Sequence, residues 1–370
     1  MLRSKYMTAL HELYEQTRQS PWVDDLKRSY VDRGGLDDLI VKGIRGVTSN
    51  PTIMANAIAS TTDYDDQFRE LVLGGSTVEE AYWELVIYDI LGALEQLRPL
   101  YDSSNAEDGY VSLEVAPSLA RDTQATIASA RLLHKRIARP NLMVKIPATK
   151  EGISAIEEMI AEGHSINVTL IFSLGRYAEV VEAYIRGIER LVDRGGDPGK
   201  VASVASFFVS RVDTEIDRRI RSDSKLAGQA ALAQARLAYR YFENSFSSAR
   251  FRSLAEIGAR PQRPLWASTS TKNPAYPDLL YVEGLIAPQT VNTLPIATMN
   301  AFIDHGIPRR SIIDGYAADE ETLESLRSEG VDFKEVTDLL EEQGLSSFSS
   351  SFGDLLVKME VKAAQLRGRS

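Results

Sequence analysis

One lysine stands inside an apolar run, in Leu142-Met143-Val144-Lys145-Ile146-Pro147. Side chains alternate along an extended strand, so Met143 and Lys145 face one way and Val144 and Ile146 the other. Apolar surroundings disfavour the charged form of such a lysine, and the neutral amine is a nucleophile toward carbonyl carbon. A lysine paired with a carboxylate for stability fits the same residues, and on Lys145 alone the two readings stand level. Residues near other strand ends shift the balance. Asp24 closes the run Trp22-Asp24, Glu114 falls near the end of Val111-Val115, and Asn50 follows Thr48-Ser49. Asn167 and Thr169 share one face of the run Asn167-Phe172, and Ser206 comes near the end of Val201-Phe207. Each has a structural alternative: Asn50 before Pro51 suits a turn, and Asp24 can open a helix. Together they form a ring of carboxylates, amides and hydroxyls around one amine.

The elements that must position this ring are short β-branched runs alternating with longer helical patterns. The expected strands are Trp22-Asp24, Ile44-Thr48, Val111-Val115, Leu142-Ile146, Asn167-Phe172, Val201-Phe207, Leu265-Ser268 and Tyr281-Ile286. Tyr177, Val180, Val181, Tyr184, Ile188 and Leu191 recur at helical spacing, and Gly195-Gly196 stops that helix. Ile153, Ile156 and Ile160 mark the helix after Lys145, with Gly163 as its cap. Asp213 to Phe242 reads as one or two helices. Ser346-Ser351 reads as a short loop leading into a last helix at about Asp354-Leu366. That segment is either a lid or, more commonly, a plain docking helix.

Strand–helix alternation implies a parallel sheet, and about eight strands imply closure. The expected fold is α/β, a (β/α)8 TIM barrel with extra helices. It is expected to be a single domain over 1–370, with helical insertions and a C-terminal helix. A doubly wound open sheet ranks below it, because no glycine-rich turn follows Trp22-Asp24. Barrel enzymes keep their chemistry at the C-terminal strand ends, where Lys145 falls.

Bulk properties narrow the function. The chain has 370 residues, 44% hydrophobic and 25% charged, with a formal net charge of -10. That charge argues against nucleic-acid binding, which needs a basic face. No apolar run approaches the ~18 residues that span a bilayer, and no signal peptide is expected. A cytoplasmic enzyme is the expectation. There are no cysteines, which excludes disulfides and thiolate nucleophiles. None of His11, His134, His164 and His305 shows metal-ligand spacing, and His134 is expected at the surface. Gly195-Gly196-Asp197-Pro198-Gly199-Lys200 is short of a P-loop and reads as a turn.

Gly46-Val47-Thr48-Ser49-Asn50-Pro51 resembles the T-[ST]-N-P box of the transaldolase family. The stretch Leu142 to Ile153, with Lys145, Pro147, Thr149 and Gly152, is similar to the family's Schiff-base lysine box. Asn167-Val168-Thr169 resembles its following N-x-T strand. The likeness continues through Ser206 to Arg211 and through Pro288 to Thr293, in order and over nearly the whole chain. Length and helical insertions resemble the larger bacterial branch.

The resemblance implies roles. Lys145 matches the Schiff-base lysine, and Asp24 the aspartate that takes the C4 hydroxyl proton. Glu114 with Thr169 matches the pair that holds a catalytic water. Asn50 and Asn167 match residues that orient the dihydroxyacetone unit and the lysine. Ser206 and Arg211 match substrate and phosphate contacts. Lys272 stands where many relatives carry a second phosphate-binding arginine, and an ammonium is a point charge where arginine is a fork. The implied partners are small sugar phosphates; a homodimer is left open. No cofactor and no metal is expected, because the iminium is itself the electron sink. The implied reaction moves a dihydroxyacetone unit from sedoheptulose 7-phosphate or fructose 6-phosphate to glyceraldehyde 3-phosphate or erythrose 4-phosphate, in the non-oxidative pentose phosphate pathway. A fructose 6-phosphate aldolase-like lyase is the nearest alternative. Those relatives are shorter and carry a tyrosine where Phe208 stands. A non-catalytic sugar-phosphate-binding barrel ranks last.

Overall fold

The protein is described by a computed structural model over residues 7–313 and 315–367. The expectation of one domain over 1–370 therefore extends a few residues past the described chain at both ends.

Eight parallel strands close into a barrel in sequence order. They are β1 (Gln19–Asp24), β2 (Gly46–Thr48), β3 (Tyr110–Glu114), β4 (Leu142–Pro147), β5 (Ile166–Ile171), β6 (Ser203–Phe208), β7 (Arg263–Ala267) and β8 (Thr290–Leu294). The first seven lie where the apolar runs place them, within a residue or a few at each end. The eighth does not. Tyr281-Ile286, expected as a strand, is largely taken up by the short helix Leu280–Gly284. A brief buried apolar run looks the same in either conformation. The true β8 is less apolar because Asn292 and two threonines, Thr290 and Thr293, interrupt it.

Helices cover the barrel outside. Leu174–Asp193 buries Tyr177, Val180, Val181, Tyr184, Ile188 and Leu191, the stripe its spacing predicts. Gly195 follows at φ +78°, which ends it. Residues 195–200 form the turn into β6, closed by a short 3-10 segment, Pro198–Lys200. Lys150–Ala161 follows β4 and is capped at its start by Thr149, whose hydroxyl accepts from Gly152 N. The stretch from Asp213 divides into Ser210–Ile216 and Ala230–Phe246. Extra helices fill the β2–β3 connection: Pro51–Ser60, Asp65–Leu73 and Val78–Ser103.

The C-terminal segment corrects a second expectation. Ser346-Ser351 is not a loop; it lies inside one helix, Phe333–Arg367. Serines are weak helix formers, but here the helix is held by packing. Phe348, Phe352, Leu355 and Met359 are buried along it, and Phe352 meets Tyr82 edge-on at 5.0 Å. His134 is also not a plain surface residue. It is partly buried, and its ring stacks on His164 at 4.2 Å. No helix among the described residues is long and apolar enough to cross a membrane.

Candidate active site

Strand register assembles the site. Glu114 pairs in register with Lys145, and Lys145 with Asn167, so three polar side chains line up on adjacent strands β3, β4 and β5. In-register neighbours share a face, and this face is the barrel interior. Asp24 and Thr48 are matched in the same way on β1 and β2.

Lys145 is 5% exposed. Its Nζ lies 3.1 Å from Glu114 Oε2 and donates to Ser49 O at 2.9 Å. The carboxylate partner of the structural reading is thus present, and it coincides with a residue of the polar ring. Burial pushes the Glu114 carboxyl above its ordinary value, and the nearby Lys145 ammonium offsets this only in part. Asp24 is raised for the same first reason, burial, against Lys145 and a hydrogen bond from Thr48 Oγ1 at 2.7 Å. Buried Glu114 and half-buried Asp24 thus face one ammonium, and both carboxyls resist ionisation.

A cavity of about 180 Å³ opens at the C-terminal strand ends. Of the expected residues, Asp24, Asn50, Lys145, Thr169, Ser206, Arg211 and Lys272 line it. Glu114 and Asn167 stand behind that wall. Asn167 is fully buried; its Nδ2 donates to Ser112 Oγ at 3.0 Å, and its Oδ1 accepts from Ser206 Oγ at 2.8 Å. It therefore holds Ser206 in place. Asn50 caps the helix Pro51–Ser60 by accepting from Ile53 N at 3.0 Å and also lines the cavity. Thr169 Oγ1 is buried and makes no hydrogen bond among the described residues.

Arg211 and Lys272 form the cationic side. Burial lowers Arg211, and burial followed by the Arg211 charge lowers Lys272. Neither has a carboxylate partner among the described residues; Lys272 Nζ instead donates to Ser270 Oγ at 2.7 Å. Two cations near each other without a carboxylate partner attract anions. No group of three or more His, Asp or Glu among the described residues could hold a metal ion.

Sequence reasoning missed Thr48, Thr293 and Phe348 as cavity residues. The Thr48 and Thr293 hydroxyls lie 2.6 Å apart beside Asp24. Thr48 sits two residues before Asn50, a signal that could have been used. Thr293 was hidden by the misplaced eighth strand, and Phe348 by the broken reading of the last helix.

Comparison with known proteins gives the family. The family model for Transaldolase/Fructose-6-phosphate aldolase matches residues 21–359. A protein named Transaldolase from Acidothermus cellulolyticus is 48% identical over 362 residues, covering 95% of this chain and 96% of its own. One of the same name from Thermobifida fusca is 49% identical over 350 residues, covering 93% and 95%. The chain belongs to the transaldolase/fructose-6-phosphate aldolase family.

Proposed function

We propose that this chain is a transaldolase that carries a dihydroxyacetone unit on Lys145 as a Schiff base. One observation carries the reading. The cavity that holds the Lys145 amine also holds a carboxyl poised to exchange protons, Asp24, and an unpaired pair of cations, Arg211 and Lys272.

The steps follow from the geometry. Arg211 and Lys272 bind the phosphate of a ketose such as sedoheptulose 7-phosphate or fructose 6-phosphate, an anchor remote from the reacting bond. Glu114, 3.1 Å from Nζ, takes a proton from Lys145, and the free amine adds to the C2 carbonyl. Glu114, with a water held at Thr169 Oγ1, moves the protons that expel the carbinolamine oxygen as water. The resulting iminium accepts the C3–C4 bonding electrons while Asp24 takes the C4 hydroxyl proton. The aldose phosphate leaves, and an enamine remains on Lys145. Asn50 and Ser206 hold the hydroxyls of the retained three carbons. A second aldose phosphate, glyceraldehyde 3-phosphate or erythrose 4-phosphate, accepts the unit by the reverse sequence. A cytoplasmic place in the non-oxidative pentose phosphate pathway goes with this reading.

The lyase reading shares the lysine. Phe208 lines the cavity with no hydroxyl, so the phenol of the shorter lyases has no counterpart there, and this supports transfer. The test is release of glyceraldehyde 3-phosphate from fructose 6-phosphate with and without erythrose 4-phosphate. Sustained release only with the acceptor is expected; sustained release without it would make the enzyme a lyase. Borohydride reduction with substrate should add a three-carbon mass to the peptide that bears Lys145, and a label on another lysine would overturn the assignment.

A further inference from the structure

Asp213 lies on the short helix Ser210–Ile216, and Asp217 caps its end one turn later. The catalytic steps use neither. Each carboxyl accepts two hydrogen bonds, and the two sets match. Asp213 Oδ1 accepts from Ala231 N at 2.8 Å and its Oδ2 from Tyr281 Oη at 2.9 Å. Asp217 Oδ1 accepts from Gly228 N at 3.0 Å and its Oδ2 from Tyr276 Oη at 2.7 Å. One oxygen of each thus holds the entry to the helix Ala230–Phe246, and the other holds a tyrosine of the segment that follows β7. Gly228 makes room for this. It stands at φ +72°, and a Cβ there would lie 2.8 Å from Tyr276 Cζ. Asp213 is 1% exposed, and burial pushes its carboxyl up to about 7. A carboxyl this costly to bury points to a use other than stability.

The two segments so joined carry the two cations of the cavity. Arg211 stands two residues before Asp213, and Lys272 four before Tyr276. Lys272 lines the catalytic cavity on one side. On the other it lines a second cavity of about 240 Å³, shared with Asp213, Asp217, Tyr276 and Tyr281. The cationic heads themselves are loosely held. The Arg211 guanidinium lies 5.6 Å from the Phe208 ring centroid, and Lys272 Nζ donates to the Ser270 hydroxyl. Like charge pushes the two apart. Their spacing therefore falls to the backbone of the two segments. Ser210 N donates to Ser268 O at 3.0 Å where the segments leave the barrel, and the aspartate–tyrosine bonds join them again farther out.

We propose that Asp213 and Asp217 are positioning residues: through Tyr281 and Tyr276 they strap the Arg211 helix to the Lys272 segment and set the spacing of the two cations for phosphate. The inference rests on the reading of Arg211 and Lys272 as the phosphate holders. Cations already in place bind a phosphate without first being brought together against their repulsion. The strap therefore acts on phosphate affinity and KM, and the chemistry at Lys145 on β4 keeps its rate.

The test removes the two hydroxyls and leaves both rings. The double variant Tyr276→Phe/Tyr281→Phe is compared with the wild type for kcat and KM on fructose 6-phosphate with erythrose 4-phosphate, for competitive inhibition by inorganic phosphate, and for thermal unfolding. KM and the phosphate inhibition constant are each expected to rise roughly tenfold, with kcat within about twofold. A lower melting temperature with unchanged phosphate inhibition would make the strap purely structural and overturn the inference. A fall in kcat with KM and phosphate inhibition unchanged would do the same. Asp213→Asn is the conservative control. Its carbonyl accepts from Ala231 N while its amide donates to the Tyr281 oxygen, so the strap and wild-type phosphate inhibition are expected to remain. Weakened inhibition there, with the tyrosine variant unaffected, would assign the effect to the charge and overturn the inference. Should the double variant not fold, Tyr276→Phe alone, at a half-buried position, is expected to raise the inhibition constant about threefold, and no rise would overturn the inference. Arg211→Gln separates the inference from its premise. If phosphate inhibition is unchanged in that variant, the phosphate reading itself fails. If inhibition is lost there but intact in the tyrosine variant, the phosphate reading stands and the strap falls.

Discussion

Buried carboxylates stand at both ends of this barrel, in opposite electrostatic settings. At the N-terminal ends of the strands, Asp108 is fully buried. It accepts from Arg45 Nε at 2.6 Å, Ser20 Oγ at 2.8 Å, Arg263 Nη2 at 3.2 Å and Trp22 Nε1 at 3.3 Å. Burial pushes its carboxyl up, but the guanidiniums of Arg263 and Arg45 and the hydrogen bonds outweigh that, so it lies below its ordinary value. At the mouth, Asp24 and Glu114 share one ammonium, and burial wins. One end saturates a carboxylate with fixed donors and ties strands together. The other leaves two carboxyls under-neutralised, so that protons can move on and off them.

The sharpest way to break this contrast is to neutralise one aspartate at each end. Asp24→Asn should lower kcat by roughly 10²–10⁴-fold with a thermal midpoint unchanged or raised, because a costly, poorly solvated carboxyl becomes a neutral amide. Asp108→Asn should do the opposite. It leaves two guanidiniums without a counter-ion and should cost roughly 3–5 kcal/mol in urea unfolding, with kcat per folded molecule unchanged. Equal effects of the two substitutions on turnover would erase the division of labour.

Stability against pH sharpens the contrast further. Asp24 and Glu114 have folded-state values raised above their ordinary 3.8 and 4.5. The stability they contribute is present below those ordinary values and is lost as pH rises through the folded ones. Asp108 is lowered, so its contribution is present above 3.8 and is lost as pH falls through its folded value. Asp108→Asn should therefore flatten the acid limb of the stability curve, and Asp24→Asn the decline on the higher-pH side. Urea denaturation between about pH 3 and 8 reads both, and exchanged limbs would contradict the assignment.

The smallest effect is expected outside the barrel. Burial, and then the stacked His164, push His134 down from 6.5 to about 3. Below pH 6.5 the unfolded chain binds a proton that the folded chain refuses, so stability falls with pH over that window. His134→Phe keeps a flat ring for His164 and should remove about 2 kcal/mol of the loss between pH 6.5 and about 5. An undiminished loss would place its origin elsewhere.

Much of this was legible in the chain. Lys145 faces the interior because alternation along Leu142–Ile146 leaves Val144 and Ile146 on the other side, a rule of local backbone geometry. The stripe of Leu174–Asp193 was read from its spacing for the same reason. Beta8 was not, since Asn292 and the threonines around it look like a loop until the closed barrel gives them an interior to face. Nor was the helix through Ser346-Ser351, whose serines argue against helix until Phe348 and Phe352 find their partners. Asn167 was expected to orient the dihydroxyacetone unit and the lysine; that its amide also joins Ser112 and Ser206 depends on strand register, which no spacing shows.

The sequence by itself determined the first seven strands, the helices between most of them and the inward lysine, because these depend on neighbours a few positions apart. Tertiary structure decided that Glu114 lies 3.1 Å from the amine, that Asn167 joins Ser112 and Ser206, and that Phe348 lines the cavity from the C-terminal helix. Register, strand closure and helix docking join residues far apart in sequence, and their energies exist only once those residues have met.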